Sequence, residues 1–136
     1  MPRKPKALVF DSWALLAYLG GEASGQEVAD LITNAHESRN PMYMSVINVG
    51  EVWYIIAREI SEAQADQAVN DLKGLGIEVI DVDWPLTRIA ATFKVNRRMS
   101  YADCFAAALA KHRKFELVTG DKEFKQVEGE VSVRWV

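Results

Sequence analysis

The chain has 136 residues, 49% hydrophobic and 26% charged, with a formal net charge of −3. This is the size and composition of one globular domain over residues 1–136, and it excludes a disordered or membrane-embedded chain. The acidic balance argues against coating nucleic acid by charge alone, and a single cysteine, Cys104, excludes an internal disulfide.

No apolar stretch reaches the length of a membrane span. The basic start from Met1 to Lys6 lacks the apolar core of a secretory signal, so the expected location is the cytoplasm. Ala7-Leu8-Val9-Phe10 is a continuous apolar run, too short for a helix and suited to a strand buried on both faces. Asp11 ends it, and Asp11 or Ser12 can cap a helix whose Trp13, Leu16 and Ala17 share a face before Gly20-Gly21 stops it. A second helix is expected from Glu22 to His36 on the spacing of Val28, Leu31, Ile32 and Ala35, with a turn at Arg39-Asn40-Pro41.

Tyr43-Met44-Ser45 predicts a second strand leading straight into a helix with Val49, Val52, Trp53 and Ile56 inward. Glu51 lies off that stripe but beside Ile47, Tyr54 and Ile55, a setting a fully solvated glutamate would not choose. Ser61-Glu62-Ala63-Gln64 has the capping-box pattern, and the helix it opens has Ala65, Ala68, Val69 and Leu72 inward and closes at Gly74. A third strand is expected over Ile77–Val82. Asp83 then caps a helix beginning at Trp84-Pro85, with Leu86, Ile89, Ala90 and Phe93 as its stripe.

Ser100-Tyr101-Ala102-Asp103 opens the helix around which the rest is organised. An N-cap serine is followed three residues on by an acid, then by the apolar run Cys104 to Ala110 and a basic end from Lys111 to Lys114. A helix with no wet face is packed inside a domain, which holds Asp103 at the mouth of the interior on a rigid element. Cys104 inside it is a small core residue. Glu116-Leu117-Val118-Thr119 predicts a fourth strand, turned away by Gly120-Asp121, and Val131–Val136 alternates as an edge strand. Strands separated by helices imply an α/β fold: a central, mainly parallel sheet of about five strands flanked by helices.

In such a sheet, ligands gather beyond the carboxyl ends of the strands. Asp11 and Asp121 follow strand ends, while Glu51 and Asp103 sit in early turns of helices starting on that side. Singly, each acid has a structural use: Asp11 as a helix cap, Glu51 paired with a base, Asp103 in a capping box, Asp121 as a turn former. Jointly, four carboxylates need compensation, and an all-oxygen donor set favours Mg²⁺ or Mn²⁺ over zinc. His36 and His112 lack the spacing of a zinc pair and read as surface residues.

The strand ending in Asp11, the segment from Ser45 through Glu51 to Val52, the Ser100–Cys104 helix start and Leu117-Val118-Thr119-Gly120-Asp121-Lys122-Glu123-Phe124 resemble the successive motifs of the PIN domain. Compact size and the order Asp, Glu, Asp, Asp resemble most the VapC toxins of toxin–antitoxin pairs. The resemblance implies a metal-dependent endoribonuclease with Asp11, Glu51, Asp103 and Asp121 as its acidic cluster and Thr119 as the small hydroxyl residue beside the last acid. On that reading Asp11 and Asp103 lie closest to Mg²⁺, Asp121 completes the site, and Glu51 orients or deprotonates the attacking water.

Phosphates of an RNA substrate would meet Arg97 and Arg98, or Lys111 and Arg113 with His112 and Lys114. The latter group equally suits a helix C-terminus without any ligand. The implied partners are a small antitoxin, for whose helix Tyr18 and Tyr54 could line a groove, and a second copy of the chain in a homodimer. The rival of another class is a non-catalytic PIN-like module that binds RNA or protein. A phosphoacceptor receiver would need adjacent acids after the first strand, where Ser12-Trp13 stands, and no Gly-rich nucleotide loop occurs.

Overall fold

The computed structural model describes residues 6–136, so the basic start noted above lies outside it except for Lys6. β1 (Leu8–Phe10) is followed by α1 (Ser12–Leu19) and α2 (Ala23–Ser38). β2 (Met42–Ser45) leads into α3 (Val46–Glu59) and α4 (Glu62–Gly74), and β3 (Ile77–Ile80) into α5 (Trp84–Asn96) and α6 (Tyr101–Arg113). β4 (Glu116–Thr119), a 3-10 helix (Lys122–Val127) and β5 (Val133–Trp135) complete the order. The five strands form one sheet in the order β3-β2-β1-β4-β5, every neighbouring pair parallel.

Helices cover both faces, which is why the inner strands are apolar without alternation. Val9 of β1 and Leu117 of β4 face a core built with α5 and α6. Leu8, Phe10 and Val118 face a second core built with α1, α2, α3 and α4. α6 is buried from Asp103 through Ala110, and the four alanines of that stretch let the sheet and α5 approach closely.

Side-chain caps start the helices where the sequence places them. Asp11, Ser45, Ser61, Asp83 and Ser100 accept from the backbone N–H of Ala14, Asn48, Gln64, Leu86 and Asp103 at 2.8 to 3.2 Å. Each such cap contributes about 1 kcal/mol.

The structure adds detail to several expectations and shortens two of the strands. The buried face of α1 is Ser12, Ala14, Leu15 and Ala17, whereas Trp13 and Leu16 are only half-buried. This short helix is wedged between the sheet and two helices, so contact on more than one side overrides the single stripe. α4 runs through Gly74, and the left-handed residue that turns the chain is Gly76 at φ +87°. A Cβ there would stand 3.0 Å from His36 Cε1, and His36 Nε2 lies 2.6 Å from the Leu75 carbonyl oxygen, so this exposed histidine pins the turn. β3 stops at Ile80 rather than Val82 and β5 covers only Val133–Trp135.

Candidate active site

β1 lies between β2 and β4, so the connection after β1 leaves toward one side of the sheet and β4 returns on the other. The crevice at the carboxyl ends of β1 and β4 is therefore a switch point of the topology, where open parallel sheets bind ligands. Asp11 follows β1 directly and Asp121 follows β4 by two residues.

Asp11 is fully buried and doubly anchored. One carboxylate oxygen accepts from the Ala14 N–H at 2.8 Å and the other from the Thr119 hydroxyl. Thr119, also fully buried, accepts in turn from the Asp121 backbone N–H at 3.0 Å. Asp121 caps the 3-10 helix through the Glu123 N–H at 2.9 Å. The structural uses foreseen for Asp11 and Asp121 are thus real, and they are the means by which both acids are held in place.

The other two acids are tied to this pair through helix starts. Ser45 caps α3 and donates its hydroxyl to Asn48 Oδ1 at 2.7 Å, while Asn48 Nδ2 donates to the Ala102 carbonyl at 3.0 Å. The first turns of α3 and α6 are fastened together, fixing Glu51 relative to Asp103. Glu51 is half-buried and accepts from the Ser12 hydroxyl, next to Asp11. Carboxylate oxygens of Asp103, Asp121 and Glu123 lie within 4.8 Å of one another.

Burial first, and then neighbouring negative charge, sets the electrostatics. Desolvation pushes the Asp11 carboxyl up to about 7, opposed by the Thr119 and Ala14 hydrogen bonds and reinforced by Asp103 and Asp121. Asp103 is likewise pushed up to about 7, by desolvation, then Asp121 and Glu51, with Glu123 adding to it. The Thr119 bridge between Asp11 and Asp121, the Ser12–Glu51 bond beside Asp11 and the Asp103–Asp121–Glu123 cluster bring together all four acids expected from sequence, with Glu123 as a fifth. None of the ion pairs among the described residues involves any of the five. Clustered carboxylate oxygens, two of the five acids buried, without a compensating base among the described residues are a donor set of the type that suits a hard divalent cation such as Mg²⁺ or Mn²⁺.

Ser12, Asn48 and Glu123 were not singled out from sequence. Ser12 and Asn48 stand where capping residues are common, which hid their links to Glu51 and Ala102. Glu123 stood only inside the Leu117–Phe124 motif with no role of its own, and the tight 3-10 helix is what brings it beside Asp121.

The basic candidates lie elsewhere. Arg97 and Lys111 both pair with Glu130, Arg97 also reaching the Gln126 carbonyl oxygen at 3.5 Å. Arg98 donates its backbone N–H to Gln126 Oε1 at 3.2 Å. Arg113 lies over the Tyr43 ring at 5.8 Å, at the end of α6 remote from Asp103. Tyr18 and Tyr54 do not line the apolar groove of about 500 Å³ beside α1, α3 and α4. Its walls are Leu16, Leu19, Ile55, Ile56 and Ile60, with Glu59 and Asp71 among the acids at its edge.

The family model of the PIN domain matches residues 8–130. Similar solved structures include VapBC2 from Rickettsia felis bound to a promoter DNA fragment, 17% identical over 96% of this chain and 98% of that one, TM-score 0.73. VapC20 from Mycobacterium tuberculosis, described as a toxin cleaving the sarcin-ricin loop, is 22% identical over 93% and 98%, TM-score 0.70. The FitAcB structure from Neisseria gonorrhoeae is 22% identical over 93% and 95%, TM-score 0.68. No curated protein is a significant match by sequence.

Proposed function

This chain belongs to the PIN-domain family, and on that premise we propose that it is a metal-dependent endoribonuclease, the toxin of a toxin–antitoxin pair. The observation that carries the reading is the convergence of Asp11, Glu51, Asp103, Asp121 and Glu123 at the switch point, none of them in an ion pair with a base among the described residues. The VapC and VapBC neighbours support the toxin class.

Asp11, Asp103 and Asp121 would hold Mg²⁺, or Mn²⁺ in its place, with Glu123 within reach of the last two. Bound there, the ion supplies positive charge to the phosphoryl oxygens and lowers the pKa of water. Thr119 fixes the Asp11 carboxylate, leaving it little freedom to reorient. Glu51, half-buried and held by Ser12, is placed to orient the attacking water and take its proton. Arg97, Arg98, Lys111 and Arg113 are the candidates for RNA phosphates. Lys111 and Arg113 stand roughly 12–15 Å along the α6 axis from Asp103, so they would meet nucleotides away from the scissile bond.

A small antitoxin fits the acidic site by presenting Arg or Lys to the carboxylates, and its helix fits the acid-edged apolar groove beside α1, α3 and α4. A second copy of the chain fits α5, where Trp84 and Val95, 69% and 76% exposed, stand on one side of the helix. Among the described residues no helix is long and apolar enough to cross a membrane; an RNA-cutting toxin would act in the cytoplasm, where its substrate is.

The test is cleavage of RNA by purified protein. Activity should disappear in EDTA, return with Mg²⁺ or Mn²⁺ but not Ca²⁺, and be absent from Asp11→Asn and Asp103→Asn. RNA binding without cleavage in any of these metals would favour the non-catalytic module.

A further inference from the structure

We propose that Arg97 and Lys111, with Arg88 beside them, form a binding site for a phosphodiester of the RNA strand, and that Glu130 fills this site in the free protein and leaves when RNA binds; this rests on the reading of the chain as RNA-acting. Glu130 gives one carboxylate oxygen to each cation, Oε2 to Arg97 and Oε1 to Lys111 Nζ, the latter at 2.9 Å. Two cations sharing the two oxygens of one anion is the arrangement that the two non-bridging oxygens of a phosphodiester would reproduce. Both cations lie over the Phe93 ring, 5.1 and 5.4 Å from its centroid, so the ring supports them from beneath.

Together with Arg88 they line a depression of about 180 Å³. Three bases there face one acid, and Arg88 is exposed with no ion pair among the described residues. The side chains of Arg97, Lys111 and Glu130 are 24%, 44% and 37% exposed, so the pairs Glu130 makes are of the weak, solvent-screened kind that a phosphodiester of equal charge, backed by its neighbours along a polyanionic strand, can replace. Glu130 itself sits in a turn just after the 3-10 helix, next to Gly129, whose surroundings are open. Arg97 lies in the link between α5 and Ser100–Asp103, and Lys111 stands roughly 12 Å along the α6 axis from Asp103, so the depression would hold a nucleotide away from the scissile bond.

The experiment measures binding of a short single-stranded RNA to the full chain carrying Asp103→Asn, in EDTA, over a range of KCl concentrations. Adding Glu130→Gln, which keeps an amide oxygen for Lys111, should tighten binding roughly threefold or more. Arg97→Gln and Lys111→Gln should each weaken it and lower the slope of log affinity against log salt by about one. In the Arg97→Gln background, Glu130→Gln should lose most of its effect. Unchanged or weaker RNA binding by Glu130→Gln, with a lower melting temperature, would overturn the proposal and leave Glu130 as a clasp between helices. Cleavage by the wild-type chain in Mg²⁺ is scored separately. Tightening without any cleavage keeps this site and removes the nuclease reading, whereas cleavage without tightening removes this site alone.

Discussion

Thr119 donates its hydroxyl to Asp11 across the β1–β4 boundary while accepting from the Asp121 N–H, so one side chain holds both acids that end these strands. Replacing it with valine keeps the shape and removes both bonds. The hydrogen bond to Thr119 is what most opposes the upward push of burial on Asp11, so its loss should raise the Asp11 pKa above about 7. Thr119→Val should therefore need more Mg²⁺, lose roughly 10- to 100-fold in RNA cleavage, and shift the acidic limb of its pH–rate profile upward. A wild-type profile and Mg²⁺ requirement in Thr119→Val would show that Asp11 is held by other means.

Stability of the metal-free protein should carry the cost of the crowded acids. A carboxyl whose folded pKa is raised from 3.8 to about 7 binds more protons in the folded than in the unfolded state. Its contribution to stability is favourable at low pH and is lost as pH rises from about 4 to 7. Asp103→Asn should thus gain on the wild type across that window, by at most a few kcal/mol at pH 7, less the small loss of an acid near a helix N-terminus. Urea denaturation in EDTA at pH 5 and 7.5 checks the sign. Added Mg²⁺ should stabilise the wild type by mass action and do little for the variant.

The order of helices and strands was legible in the sequence because cap residues, apolar periods and strand-ending acids agree from Asp11 to Asp121. The gathering of Asp11, Glu51, Asp103 and Asp121 was legible as well, since all four occupy starts or ends of elements that topology brings to one side. Contacts between elements were not. Ser12 to Glu51 and Asn48 to Ala102 span 39 and 54 residues and leave no local pattern. A further contact of this kind is that of Trp13, which packs on the backbone at Gly120, a contact set by the β4 turn rather than by helical spacing.

That contact makes Gly120 a sensitive position. A Cβ there would stand 2.2 to 2.8 Å from three atoms of the Trp13 indole, far inside contact distance. Gly120→Ala should destabilise by about 1–3 kcal/mol and reduce cleavage, because the peptide that must move joins Thr119 to Asp121. Gly129→Ala, with nothing within 4 Å of its Cβ, should change stability little, and paired thermal melts read the difference.

Asn48→Ala should leave the Ala102 carbonyl without its side-chain partner and unfasten α3 from α6. The expected loss is about 1–3 kcal/mol, together with reduced cleavage as Glu51 and Asp103 lose their fixed separation. Stability loss with unchanged cleavage at a permissive temperature would assign Asn48 to the fold alone.

The central claim is that Asp11, Asp103 and Asp121, with Glu123 within reach and Glu51 serving the attacking water, hold a divalent cation for cutting RNA, and calorimetric Mg²⁺ titration run beside RNA cleavage on wild type and Asp103→Asn tests it most directly. The account predicts Mg²⁺ binding and Mg²⁺-dependent internal cleavage by the wild type, with both lost in a folded Asp103→Asn. Cleavage that persists at full rate in EDTA, or in Asp103→Asn with Mg²⁺, would contradict it.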